Sequence, residues 1–258
     1  IVPGDKSISH RALIIGSTVT GIVKIKNLLE SDDVIATADA LKTLGVKINK
    51  NKNIWKVFGN GIGNLSGSNF RLDLGNSGTG SRLIMGLIAG SDVEAEILGD
   101  ESLSKRPMKR IITPLLKTGA IFDDPNNDRL PIKMKGSKIP LPIEYYSPVA
   151  SAQIKSSILL AGLSSTGNTT VIEPALSRDH SERMLKYLGA KIYTTQMPNS
   201  CWKITLEGLP SLKALDIEIP SDPSSAAFPI VASIITPQSK IKILNVCVND
   251  LRMGLYES

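Results

Sequence analysis

At 258 residues, 41% hydrophobic and 21% charged, the chain can bury a substantial core and sits at the size where one domain commonly becomes two. Its longest apolar stretches, Leu83 to Ala89 and Ile158 to Leu163, fall well short of the roughly 20 residues that cross a bilayer, and no basic-then-apolar leader stands before Pro3, so neither a membrane span nor a secretory signal is expected. A net charge of +6 suits an anionic partner, but aromatics at only 4% and scattered basic residues exclude the stacking groove of a nucleic-acid binder.

Taken in order, the elements repeat. The first unit opens with GDKSISHRALIIG from Gly4, a polar start running into an apolar helix, followed by a one-sided helix ending at LGVKI (Leu44 to Ile48) and a strand WKVFG. The second opens with GNSGTGSRLIMGL from Gly75 and continues through TGAIF (Thr118 to Phe122) to LPIKMKG. The third opens with PVASAQIKSSILLAG from Pro148, passes LGAKI (Leu188 to Ile192) and ends at CWKITLEG. A fourth opening, SDPSSAAFPIVAS, begins at Ser221, and the four openings start 71 to 73 residues apart.

Each unit therefore reads as strand, buried helix, strand, amphipathic helix and two strands. The first helix is apolar nearly all round and is expected to be buried on every side. The second ends at Gly45, Gly119 or Gly189, where a residue tolerant of positive φ caps the helix. In the third unit Asp179 and Glu182 resemble a capping box, and Met184, Leu185 and Leu188 form the apolar stripe. Three units, about 1 to 220, would close around their shared helices with the sheets outside. Residues 221 to 258 read as the unfinished start of a second domain, with the apolar run Ala226 to Ile235 lacking sheet partners.

The polar openings carry the functional signal, because unpaired N–H groups at a helix start attract anions. Ser7, Ser77 and Ser151 sit where ordinary N-caps would also sit. Lys6, Ser7 and Arg11 fall within one and a half turns and can face one ligand, the arginine as a two-pronged fork for carboxylate or phosphate. GNSGTGSR has Ser81-Arg82 where a P-loop needs Lys-Ser/Thr, which weakens a nucleotide reading. Pro107 marks a helix N1 position and puts Arg106 at a helix start, where a bound anion would explain a cation. Cys201 and Cys247, in apolar strand-like runs without CxxC spacing, read as small buried hydrophobes, and His10 and His180 lack ligand spacing for zinc.

Together PGDKSISHRA (Pro3 to Ala12), LGNSGTGSR (Leu74 to Arg82), KRPM (Lys105 to Met108), ASAQIKS (Ala150 to Ser156), SRDHSE (Ser177 to Glu182) and SDPSS (Ser221 to Ser225) resemble, in order and spacing, the successive signatures of the 5-enolpyruvylshikimate-3-phosphate (EPSP) synthase family, in the bacterial group carrying GDKSISHR. The resemblance implies an inside-out α/β barrel of three βαβαββ repeats (the enolpyruvyl transferase fold) followed by the start of a second such domain. It implies transfer of the enolpyruvyl group of phosphoenolpyruvate to the 5-hydroxyl of shikimate 3-phosphate, releasing phosphate, in a monomeric cytoplasmic enzyme with no cofactor and no metal. By the same resemblance Lys6 touches both substrates, while Ser7, Arg11, Ser151, Ala152, Gln153, Ser177 and Arg178 hold shikimate 3-phosphate. Asn76, Gly78, Thr79, Arg106 and Gln153 line the phosphoenolpyruvate side, where glyphosate would compete. The family's proton-transferring groups belong to its second domain, beyond Ser258, so the chain alone is expected to be inactive and prone to self-association. One rival is the sister transferase acting on UDP-N-acetylglucosamine; it carries a cysteine before its Arg-Pro pair, where this chain has Ser102 to Lys105. The other is a non-catalytic anion-binding fragment.

Overall fold

A computed structural model describes residues 2–257; the outermost bounds of the two expected segments, residues 1 and 258, lie outside the described residues. The first unit contains α1 (Lys6–Ser17), β1 (Thr20–Lys26), α2 (Asp32–Thr43), β2 (Lys47–Asn51) and β3 (Ile54–Asn60). The second contains β4 (Ser66–Asp73), α3 (Gly78–Ala89), β5 (Asp92–Leu98), the short α4 (Glu101–Ser104), α5 (Lys109–Lys117), β6 (Ile121–Phe122) and β7 (Ile132–Lys135). The third contains β8 (Glu144–Tyr146), α6 (Ala152–Gly162), β9 (Asn168–Glu173), α7 (His180–Tyr187), β10 (Ile192–Gln196) and β11 (Trp202–Glu207). Then follow β12 (Ile217–Glu218) and α8 (Pro223–Ile235).

Each unit builds a four-stranded sheet with one pattern. In the second and third the orders are β4-β5-β7-β6 and β8-β9-β11-β10, the first pair parallel and the rest antiparallel. The first unit departs from the expected strand-first plan: among the described residues no strand precedes α1, and Gly4 makes an isolated bridge to Ser221. Its outer place is taken by β12 from the far side of the third unit, parallel to β1 with Ile217 opposite Ile25 and Glu218 opposite Lys26.

The sheets surround the three helices that follow the polar openings. α3 is buried at Gly78 and from Gly80 to Ala89, and α6 at Ala152 and from Ile154 to Gly162, as their all-round apolar sequences require. Each fully buried leucine or isoleucine of this core contributes roughly 1.5–3 kcal/mol. α3 and α6 approach so closely that a Cβ on Gly86 would stand 2.3 Å from the Ser157 carbonyl oxygen, so only glycine fits there.

The outer helices α2, α5 and α7 all stop in the same way. The N–H groups of Gly45, Gly119 and Gly189 donate to the carbonyls of Lys42, Leu116 and Lys186, and those of Val46, Ala120 and Ala190 to Leu41, Leu115 and Leu185. These are three Schellman motifs, with glycine φ of +87°, +93° and +105°.

Several local expectations are corrected. α5 begins at Lys109 with Met108 as its N-cap, because the Met108 N–H is taken by the Asp128 carbonyl at 2.6 Å; Pro107 is therefore not at N1, and Arg106 lies in the turn after α4. Asp179 caps α7 by position, but its carboxylate accepts from Arg183 at 2.7 Å and from Asn249 at 2.7 Å, while Glu182 turns inward to Lys155, so no capping box forms. α1 is capped by Asp5, whose carboxylate accepts from the Ile8 N–H at 2.9 Å, and not by Ser7. Cys201 is half-buried just before β11, and Cys247 is buried on a segment bonded to Ser221 outside any named strand. α8 forms but buries only Pro223 and Ala226, leaving Phe228, Ile234 and Ile235 exposed.

Candidate functional site

Ser77 and Ser151 accept the N–H groups of Gly80 (3.1 Å) and Ile154 (3.5 Å), so both are N-caps. Ala152 and Gln153 occupy the first two positions of α6, where N–H groups have no intrahelical acceptor. Around these starts a crevice is lined by Ser7 and Arg11 of α1, Thr79 of α3, Ala152 and Gln153 of α6, and Arg178 and His180. A larger cavity, about 580 Å³, lies between α7, β12 and residues 246–249; the arginine that lines it, Arg183, is already paired with Asp179. The crevice, with its convergent charge, is the better site.

Gln153 joins the crevice to a second basic cluster. Its Nε2 donates to the Thr79 hydroxyl at 3.1 Å, and its Oε1 accepts from Arg82 at 3.0 Å and Arg110 at 3.3 Å. Arg106 donates to the Asn76 side-chain oxygen and to Ser102 at 3.3 Å, while Asn76 donates to Asp100 at 2.8 Å. A Cβ on Gly78 would stand 3.0 Å from guanidinium nitrogens of both Arg106 and Arg82, so the glycine keeps the two forks close to the start of α3.

Two of these guanidiniums, of Arg11 and Arg82, are buried and bonded to neutral acceptors. Arg11, 3% exposed, donates to the hydroxyls of Ser181 (2.7 Å) and Ser156 (2.9 Å) and to the Ser7 carbonyl (2.9 Å). Arg82, 5% exposed, donates to the Gly78 carbonyl (3.2 Å), Gln153 and the Pro107 carbonyl (3.5 Å), and its Nε has no partner. Among the described residues no carboxylate bonds either one. Burial, then the neighbouring Arg110 and Arg106, pushes Arg82 down to about 10. Burial likewise brings Arg11 to about 10, with Glu182 opposing and Arg178 adding to the fall. Removing such a cation from water without a partner costs several kcal/mol, and an arriving anion offsets that cost.

Of the residues singled out in the sequence, the crevice gathers Ser7, Arg11, Thr79, Ala152, Gln153 and Arg178, and the adjoining cluster gathers Asn76, Gly78 and Arg106. Lys6 sits about one and a half turns from Arg11 but is exposed and paired with Asp33 at 3.0 Å. Ser151 and Ser177 are linked behind the crevice through Glu173, which accepts from the Ser151 N–H at 2.9 Å and the Ser177 hydroxyl at 2.8 Å. Sequence reasoning did not place Arg82, Arg110, His180, Lys155 or Glu173 here. One signal was available: the eighth residue of each of the first three openings is basic, namely Arg11, Arg82 and Lys155, inside otherwise apolar helices.

The chain matches the family model described as EPSP synthase (3-phosphoshikimate 1-carboxyvinyltransferase) over residues 1–258. It is 50% identical over 256 residues to the 3-phosphoshikimate 1-carboxyvinyltransferase of Parvibaculum lavamentivorans, covering 99% of this chain and 57% of that protein. It is 51% identical over 256 residues to the protein of that name from Afipia carboxidovorans, covering 99% and 58%. The solved EPSP synthase of Acinetobacter baumannii superposes with a TM-score of 0.89 at 40% identity, covering 99% of this chain and 57% of that one. Three like units closed around central helices, with helix starts converging on a basic crevice, define the class as an α/β protein of the enolpyruvyl transferase fold. Within that class the chain belongs to the EPSP synthase family. It spans just over half the length of these relatives.

Proposed function

We propose that this chain forms the substrate-binding half of a transferase that moves the enolpyruvyl group of phosphoenolpyruvate to the 5-hydroxyl of shikimate 3-phosphate and releases phosphate. The observation that carries this reading is the pair of buried guanidiniums, Arg11 and Arg82, that lack carboxylate partners among the described residues and stand beside three polar helix starts. Two phosphorylated acids bring two phosphates and two carboxylates into one cleft, and fixed cations with unspent N–H donors are what such a load requires.

In this reading Ser7, Arg11, Ser151, Ala152, Gln153, Ser177 and Arg178 hold shikimate 3-phosphate. Asn76, Gly78, Thr79 and Arg106 face phosphoenolpyruvate, with Arg82 and Gln153 between the two ligands. Lys6 leaves Asp33 to bridge both substrates and stabilises charge as the tetrahedral centre forms. Residues 1–220 make the first domain and 221–258 open the second. The enzyme works in the cytoplasm on small molecules as a monomer, apart from nucleic acid and membrane; among the described residues no helix is long and apolar enough to cross a membrane. The chain alone self-associates through the exposed apolar side of α8.

Titration calorimetry of the chain with shikimate 3-phosphate, paired with a phosphate-release assay on both substrates, tests the reading. Binding without turnover is the expected result. Absence of binding overturns the substrate assignment, and turnover overturns the division of labour.

A further inference from the structure

The repeat places a cation at the same position in each central helix, yet only two of the three face the ligand side with neutral partners. The third, Lys155, is fully buried and sits between two carboxylates, 2.9 Å from Glu173 and 2.7 Å from Glu182. Burial raises the Glu182 carboxyl above the ordinary range, with Lys155 opposing. A buried ion cluster of this kind is weak evidence for stability, since apolar residues of equal volume commonly serve as well. Its connections point to a different purpose.

Every acceptor site of Glu173 near the crevice is used on a binding element. Oε1 takes the Ser151 N–H at 2.9 Å, at the start of α6, and the Ser177 hydroxyl at 2.8 Å. Oε2 takes Lys155 at 2.9 Å and lies 2.9 Å from the same hydroxyl. Lys155 in turn donates to the Ser177 carbonyl at 3.2 Å, immediately before Arg178. The start of α6 and the loop carrying Arg178 are thereby tied to one carboxylate.

We infer that Lys155 and Glu173 are positioning residues, which hold the N–H groups at the start of α6 and the Arg178 loop at the separation a ligand phosphate needs. The Ser177 hydroxyl donates to the same carboxylate, so Glu173 also fixes the orientation in which this side chain meets the ligand. This rests on the substrate reading proposed above. The geometry also explains why the charge matters. Glu173→Gln keeps the shape, but its amide NH₂ must face either the Ser151 N–H or the Lys155 ammonium, donor against donor, and one tie opens.

The test is calorimetry of the 258-residue chain with shikimate 3-phosphate and with shikimate, which lacks the phosphate. Glu173→Gln is expected to weaken shikimate 3-phosphate roughly tenfold or more while shikimate changes by less than about twofold, a phosphate-specific loss that general loosening of the fold would not produce. The triple variant Lys155→Met/Glu173→Gln/Glu182→Gln, which removes all three buried charges together, is expected to show the same selective loss, and thermal melting by circular dichroism reports whether each variant folds. Equal affinities for the phosphorylated ligand in wild type and a folded variant, or equal losses for both ligands, overturn the assignment. If neither variant folds, the triad holds the fold and not the site, and the assignment fails. A wild-type chain that binds neither ligand overturns the substrate reading itself.

Discussion

Arg11 and Arg82 have the same predicament, a planar cation removed from water and surrounded by hydroxyls and carbonyls. Neutral acceptors satisfy the N–H groups, and neighbouring arginines add to the positive field, alone at Arg82 and against the more distant Glu182 and Asp5 at Arg11. Lys6 differs because it is paired with Asp33 and exposed, so it can move to a ligand at little cost. Lys6→Ala is expected to weaken shikimate 3-phosphate and phosphoenolpyruvate together in the complete enzyme, and unchanged calorimetric affinity for the first would remove Lys6 from the shared role. Gly78 acts through absence. A methyl group there would meet Arg106 and Arg82 at 3.0 Å, tighter than ordinary contact, and both forks would have to give. Gly78→Ala should therefore cost phosphoenolpyruvate affinity and relieve glyphosate inhibition, and equal inhibition of the two enzymes would show that the glycine does not face that ligand.

At the scale of elements, three outer helices end in superimposable glycine caps, and one of them isolates the backbone effect. A Cβ on Gly45 would meet nothing within 4 Å, so Gly45→Ala changes only the strain of holding alanine at φ +87°. The expected loss is about 1 kcal/mol in denaturant unfolding, and a neutral result would mean the Schellman turn relaxes without cost. These caps were legible because a glycine with apolar residues one and three positions after it recurs at intervals of 74 and 70 residues. The strand that completes the first sheet was not legible: β12 is only two residues long, lies some 190 residues from β1, and shows no period of its own. Pro107 misled for a related reason, since the tertiary bond from the Met108 N–H to Asp128 decides where α5 starts. In the site, the helix starts could be read from glycine, serine and neighbouring cations. Arg82 and Lys155 could not be separated by type, because what distinguishes them is Glu173 and Glu182 arriving from elsewhere in the fold.

For the whole molecule, the burial of two histidines, with cations beside them, shapes the response to acid. Burial and then Arg11 hold His10 down to about 3, with Asp33 opposing, and burial, Arg11 and Arg252 do the same to His180, with Asp179 opposing. Both are therefore neutral in the fold at pH values where the unfolded chain begins to take up protons, near 6.5. Stability is accordingly full above that value and falls as the pH drops from about 6.5 toward 3, at up to about 1.4 kcal/mol per pH unit for each histidine. His10→Asn should flatten the decline in unfolding free energy between about pH 6.5 and 5, where carboxylates contribute least. An identical slope in the variant would show that His10 titrates normally.

The account depends on a single meeting point for a phosphorylated acid, built from three helix starts and buried arginines that no carboxylate among the described residues bonds. A crystal structure of the chain with shikimate 3-phosphate examines this directly. The phosphate is expected at the start of α6, within hydrogen-bond distance of the Ala152 or Gln153 N–H groups and of Arg178, with the ring between Arg11 and Gln153. Ligand bound in the cavity between α7 and β12, or anywhere outside the crevice, would contradict it.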